Sequence, residues 1–245
     1  MVHKEISVKP LMHSPAPLGL EAGARMFALA LLLGSVRPGI AAPAFPEFPY
    51  PATEKVNRLT FTAFDTETTG FDPHGDRIVE IGAVRFTLGG EIVATNWLIN
   101  PCRHIPRYLK SVHGITDEMV RNAPVFGEVY PCFLQFCKGT LLLAHNAGFD
   151  VSFINAELQR AGLTSPSLPV LDTLRIFRTW YPASPSHSLP SLVKWLRLPH
   201  GRFHRAGNDA YYVALIFRQY SAGQLESLRD LLSDAGERVL WISPQ

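Results

Sequence analysis

From Leu59 the chain alternates apolar and polar positions. Leu59, Phe61 and Ala63 stand against Thr60 and Thr62, a period of two that predicts a strand running to Asp65. Two more strands are predicted from Ile78 to Phe86 and from Glu91 to Ile99, joined at Leu88-Gly89-Gly90 by a hairpin-type turn. Together they make an antiparallel three-stranded meander. After a loop rich in Pro and Arg, Thr116 with Asp117 and Glu118 marks a helix start, and Phe126, Val129, Tyr130, Phe133, Phe136 and Cys137 recur at helical spacing. Leu141 to Ala144 reads as a short buried strand. Phe149 to Ala161 and Thr173 to Trp180 read as helices around a strand at Val170 and Leu171, and Ser188 caps a further helix through Trp195. A helical run with Tyr212, Leu215, Ile216 and Gln219 follows, and Leu225, Leu228, Leu231 and Leu232 share one face of a terminal helix. Strand and helix alternate through this half, which predicts parallel strands added to the meander and helices on its faces. The fold class is α/β with a mixed sheet.

The first 55 residues do not share this pattern. They hold eight of the chain's 20 prolines, from Pro10 to Pro51, a spacing that forbids packed elements over most of the stretch. One apolar run, Met26 to Val36, interrupts them. It reads as a signal-peptide core, with small residues following at Ala41, Ala42 and Ala44; the alternative is that this stretch is a disordered extension, or translated sequence upstream of a later start, for which Met26 is an available initiator. The run is too short for a transmembrane helix. The predicted organisation is a Pro-rich extension over 1–55, one domain over 56–222, and a short helix and tail over 223–245.

Composition narrows the class without naming a chemistry. Hydrophobic residues at 47% and charged residues at 18% exclude a disordered or collagen-like chain, and 245 residues suffice for one domain with a sizeable core. With 23 Lys and Arg against 21 Asp and Glu, the net charge of +2 carries no strong electrostatic signature. Cys102, Cys132 and Cys137 form an odd, sparse set without C-x-x-C pairs, which points to the reduced cytoplasm.

The carboxylates carry the chemistry. Asp65 and Glu67 continue the parity of Leu59, Phe61 and Ala63, so two anions fall on the face committed to the core. Such a placement is expensive unless something compensates it. Residues two apart on a strand are about 6.6 Å apart on one side, wide enough to reach a pair of metal ions roughly 4 Å apart. The alternative is a strand that ends at Phe64 with both acids in a solvated turn. Asp150 opens a helix after His145-Asn146-Ala147-Gly148-Phe149, where it reads either as a first-turn acid or as a ligand. Asp209 enters the helix after His204-Arg205-Ala206-Gly207-Asn208. Five residues rotate a helical side chain by about 140°, so His204 must precede the helix proper if it is to face Asp209. Gly207 and the polar stretch from Pro199 to Phe203 predict a hinge that swings His204 into place.

The runs Phe64-Asp65-Thr66-Glu67-Thr68-Thr69-Gly70, His145 to Asp150 and His204 to Asp209 resemble, in order and spacing, the three motifs of the DnaQ-like DEDDh 3′–5′ exonucleases. Ile78 to Val84 and Val112-His113-Gly114-Ile115-Thr116-Asp117-Glu118-Met119 are similar to the same family, and the likeness spans roughly Leu59 to Gln219. It implies a ribonuclease H-like, five-stranded mixed sheet. It also implies that Asp65, Glu67, Asp150 and Asp209 hold two Mg²⁺ or Mn²⁺ ions, hard cations suited to oxygen ligands. His204 would be the catalytic base. An imidazole ordinarily titrates near pH 6.5, so activity is expected to fall below about pH 7.

The family resemblance further places Thr66, Thr68, His113, Asn146 and Phe149 around the terminal nucleotide, with Glu67 and Asp209 doubling as contacts. Phe149 would stack an unpaired base. Tyr108 stands where several relatives carry an acid, so contacts to the terminal sugar differ. Arg103, Arg107, Lys110, Arg202 and Arg205 are candidate phosphate contacts. The expected substrate is a single-stranded or frayed 3′ end of DNA, in a proofreading role beside a DNA polymerase III catalytic subunit, with release of nucleoside 5′-monophosphates. RNA trimming in the manner of ribonuclease T or oligoribonuclease is the alternative, and a non-catalytic nucleic-acid-binding scaffold a third. Gln224-Leu225-Glu226-Ser227-Leu228 resembles a sliding-clamp peptide, but Ser227 occupies a position such peptides make apolar.

Overall fold

The computed structural model describes residues 49–199, 201–221, 225–236 and 238–243. The apolar run from Met26 to Val36 and most of the predicted extension lie outside them. Strands β1 (Phe61–Thr68), β2 (Ile78–Phe86) and β3 (Ile92–Leu98) form the antiparallel meander. Helices α1 (Arg107–His113), α2 (Asp117–Val120) and α3 (Phe126–Cys137) lead to β4 (Leu141–Ala144), which pairs in parallel with β1. Helix α4 (Gly148–Ala161) crosses to β5 (Leu168–Asp172), parallel to β4. Helices α5 (Thr173–Trp180), α6 (Leu189–Trp195), α7 (Ala206–Ser221) and α8 (Leu228–Asp234) precede β6 (Val239–Ile242), which runs antiparallel to β5. The sheet order is β3-β2-β1-β4-β5-β6.

The sheet is covered on both faces, and the parity of β1 decides which residues face which layer. Phe61 and Ala63 pack with Val84 and Phe86 against α7, where the rings of Phe61 and Phe217 lie 4.9 Å apart. Phe64 and Ile81 pack against α3 and α4, with Phe64 edge-on to Phe133 at 5.5 Å. Asp65 and Glu67 therefore follow Phe61 and Ala63 toward α7, while Thr66 follows Phe64 toward α4.

Three differences from the predicted pattern have physical causes. The sheet has six strands rather than five: Val239–Ile242 pairs with the edge of β5, and Asn155 of α4 fastens it by donating to the Trp241 carbonyl and accepting from the Ser243 amide, each at 2.9 Å. A four-residue run shows no period of its own. The Pro- and Arg-rich loop contains α1, too short for a helical stripe, and ends on Gly114 at φ +74°. Before the predicted domain start, Tyr50 donates to the Gly139 carbonyl at 2.8 Å and accepts from the Thr60 amide at 3.2 Å, so the packed region begins ahead of Val56. The terminal helix forms as expected with Leu228 and Leu231 buried, which removes Leu228 from any sliding-clamp contact. No helix among the described residues is long and apolar enough to cross a membrane.

Gly207 does not act as a hinge. It lies inside α7, where a Cβ added to Gly82 of β2 would sit 2.1 Å from the Gly207 amide nitrogen. The helix start is pressed onto the sheet backbone at Gly82, whose missing side chain makes room for it, whereas a Cβ on Gly207 would meet only the Asn96 amide oxygen, at 3.1 Å. Gly82→Ala is expected to destabilise the fold by about 3 kcal/mol, since neither backbone can yield. Thermal unfolding should show Tm lowered by roughly 10 °C; an unchanged Tm would mean that α7 is free to shift.

Candidate active site

Strand β1 delivers Asp65 and Glu67 at its C-terminal end, where the register with β2 breaks between Glu67 and Thr68 and the ladder opens. The first turn of α7 delivers Asp209. One ligating oxygen from each of these three acids lies within 4.8 Å of the others, the spacing of a shared cation site. Asp150, 2% exposed in the first turn of α4, lines the same cleft of about 330 Å³. Its Oδ1 accepts from the Thr66 amide at 2.9 Å and from the Thr66 hydroxyl at 2.8 Å. The four acids come from three distant chain segments and meet at the mouth of a parallel β–α crossing.

Burial raises the pKa of all four acids. Burial, reinforced by the Asp150 and Asp209 charges, holds Asp65 well above the ordinary carboxylate range. Burial also pushes Glu67 up to about 8, Asp150 to about 7 and Asp209 to about 6. Four carboxylates that resist ionisation beside one another, all oxygen donors, fit divalent hard cations. No thiol contributes.

His204 lines the cleft from the segment before α7, exposed and with φ +59°, a backbone conformation that non-glycine residues seldom adopt. It therefore precedes the helix, as the rotation argument requires. Asn146 also lines the cleft at φ +63°, and the buried Asp172 holds that turn by accepting from the Asn146 amide at 2.9 Å and the Leu174 amide at 3.0 Å. Phe149 is half-buried, its ring 4.8 Å from Phe153 on one side and facing the cleft on the other.

Two predicted contacts lie elsewhere. Thr68 and His113 are buried and do not line the cleft. The Thr68 hydroxyl donates to the Gly70 carbonyl at 2.5 Å, and His113 Nδ1 accepts from the Ile115 amide at 3.0 Å. The candidate phosphate contacts also divide. Arg205 is taken up by Glu80, Lys110 by Asp117, and the exposed Arg103 by the Gly75 carbonyl and by Asp76 at 3.5 Å; Arg107 and Arg202 are also exposed.

Several residues at the cleft escaped the sequence analysis. Ser188, Leu189 and Pro190, at the start of α6, form its far wall. His145 tethers them: its Nε2 bonds to the His187 carbonyl at 2.9 Å, and burial lowers its pKa to about 4, leaving a neutral ring. Glu80 was legible by the same logic as Asp65, a lone acid in an apolar strand.

A layered α/β sheet with four converging acids and a histidine at the cleft mouth is the architecture of a metal-dependent nuclease. The family model described as Exonuclease matches residues 62–217, and the chain belongs to that family. Among its relatives is the DNA polymerase III subunit epsilon of Treponema pallidum, 44% identical over 154 residues that cover 62% of this chain and 72% of that protein. The 3′-5′ exonuclease DinG of Bacillus subtilis is 36% identical over 177 residues, 72% of this chain but 19% of DinG. Among solved structures, Exonuclease X in complex with 5′ overhanging duplex DNA superposes with a TM-score of 0.52 at 28% identity, covering 70% of this chain and 98% of that one. The nuclease domain of 3′hExo, a DEDDh family member bound to rAMP, shares the fold with a TM-score of 0.61 at 20% identity, covering 69% and 94%.

Proposed function

We propose that this exonuclease removes nucleoside 5′-monophosphates from single-stranded or frayed 3′ ends of DNA, as a proofreading partner of a DNA polymerase III catalytic subunit in the cytoplasm. The observation that carries the reading is the convergence of Asp65, Glu67 and Asp209 within 4.8 Å, with Asp150 on the same cleft. Those four residues would hold two Mg²⁺ or Mn²⁺ ions. When bound, such ions activate water and stabilise charge developing on phosphate and leaving oxygens.

The chain's own groups supply the rest. Phe149 offers the terminal base one face of its ring, and Asn146, fixed by Asp172, meets the nucleotide beside it. Leu189 and Pro190 add an apolar wall to the same cleft. His204 accepts the proton of the water that attacks phosphorus as the bond from phosphorus to the 3′ oxygen breaks. Thr66 keeps the Asp150 carboxylate aimed by occupying one of its oxygens. His204→Ala is expected to lower kcat by about 10²- to 10⁴-fold with cation binding retained, measured by single-turnover hydrolysis and Mn²⁺ titration.

The experiment that tests the function uses purified protein with Mg²⁺ and end-labelled oligonucleotides, comparing DNA with RNA and paired with mismatched 3′ termini. Faster shortening of DNA at a mismatched end is the expected result. Preference for RNA would instead assign RNA trimming, and binding without shortening a scaffold.

A further inference from the structure

Strand β2 buries one carboxylate that the proposed chemistry does not use. Glu80 is fully buried, yet all of its acceptor capacity is engaged. Arg205 Nε lies 3.1 Å from both of its oxygens and Nη2 lies 2.5 Å from Oε1; Asn96 Nδ2 donates to Oε1 at 2.8 Å and the Ala206 amide to Oε2 at 2.9 Å. Glu80 stands directly across from Glu67 in the β1–β2 register, which puts both on the face covered by α7. Its partner Arg205 follows His204 in the chain. The Arg205 amide donates to Asp209 Oδ2 at 3.1 Å, and its carbonyl accepts from the Asp209 amide at 3.0 Å. Every covalent route between His204 and Asp209 thus passes through a residue that Glu80 grips.

We propose that the Glu80–Arg205 pair is a positioning device that fixes His204 and Asp209 against the β1 carboxylates. Buried ion pairs seldom add stability over apolar residues of the same volume, because desolvation offsets the attraction. What this one adds is geometry: a bidentate fork has one orientation, and it holds His204 in the left-handed backbone conformation that a free loop would leave. The contact between Gly82 and Gly207, two residues further along each element, sets the same helix end at backbone distance from the sheet.

The molecule contains its own comparison. Arg77 and Glu157 form a second bidentate pair at 2.8 and 3.0 Å, with Glu157 equally buried and also accepting from the Ile78 amide. That pair joins the segment leading into β2 to α4, about two turns from Asp150. It holds the fold but touches no group of the cleft.

The proposal rests on the reading that His204 and Asp209 serve hydrolysis, and the experiment separates the two. Glu80→Gln, Arg205→Lys, the double variant Glu80→Gln/Arg205→Gln and the comparison variant Glu157→Gln are assayed with Mg²⁺ on single-stranded DNA, each with its Tm. Glu80→Gln is expected to lower kcat about tenfold to a hundredfold with KM little changed, the pattern of a misplaced catalytic group. Arg205→Lys, which keeps charge but loses the fork, should fall in the same range and decides the matter if Glu80→Gln does not fold. The double variant should be no slower than Glu80→Gln alone, because the two act as one unit. Glu157→Gln should lose Tm while keeping kcat within about threefold of wild type. Equal kcat losses in Glu80→Gln and Glu157→Gln, or wild-type kcat in a folded Glu80→Gln or Arg205→Lys, would overturn the positioning role. An inactive wild-type protein would instead overturn the functional reading beneath it.

Discussion

Asp65→Asn should abolish 3′-end hydrolysis, with a loss on the order of 10³-fold or more, because it removes a charged donor from the centre of the acidic cluster. The same variant should be more stable than wild type without metal. Asp65 is held far above its ordinary pKa by burial and by the neighbouring Asp150 and Asp209 charges, so the native fold works against ionising it. An amide of the same shape carries no such penalty. Activity and stability therefore move in opposite directions. A structural acid would lose both together. The check is a quantitative hydrolysis assay beside thermal unfolding in chelator at pH 8, and an Asp65→Asn protein that still shortens DNA would exclude the proposed role of this residue.

The metal-free protein should become less stable as pH rises from 5 to 8.5, and divalent cations should reverse the trend. In the unfolded chain these carboxyls titrate near pH 4. In the fold, burial raises Glu67 to about 8, Asp150 to about 7 and Asp209 to about 6. Between those limits the native state binds more protons than the unfolded state, so stability is fully present below about pH 4 for these groups and is lost as pH climbs through the raised values. Glu67 alone accounts for a loss on the order of 4 kcal/mol between pH 5 and 8, roughly 10 °C in Tm for a domain of this size, and Asp150 and Asp209 add to it. A cation binds the ionised form and restores stability most where protons have left. Melting curves at pH 5, 7 and 8.5, with chelator and with Mn²⁺, read this directly. A chelated protein whose Tm rises across that range would show that the acids are compensated from within.

Two members of the acidic cluster were legible as acids that break an apolar rhythm. Asp65 and Glu67 continue the parity of Phe61 and Ala63, and the structure keeps that parity, delivering both toward α7. His204 had to precede its helix on rotation alone, and it does. Relations between distant segments were not legible. Gly207 looks like a hinge in a list of residues, and only the approach of Gly82 across the sheet shows it to be a packing contact. Arg205 looks like a phosphate ligand until Glu80, 125 positions away, occupies it. His113 shares the motif's neighbourhood but is buried, which spacing along the chain does not set. Strand β6 exists because β5 has an edge to cover, a fact about the sheet and not about Val239 to Ile242.

Carboxylates from β1, α4 and α7 are expected to form one cation site. Its most direct test is Mn²⁺ binding at pH 7.5 with saturating nucleoside 5′-monophosphate, followed by loss of the free-ion electron paramagnetic resonance signal, on wild type, Asp65→Asn and Asp209→Asn. Wild type should take up two ions per chain, and each asparagine variant should lose uptake or bind far more weakly. Equal uptake at equal affinity in all three proteins would show that Asp65 and Asp209 do not hold the ions.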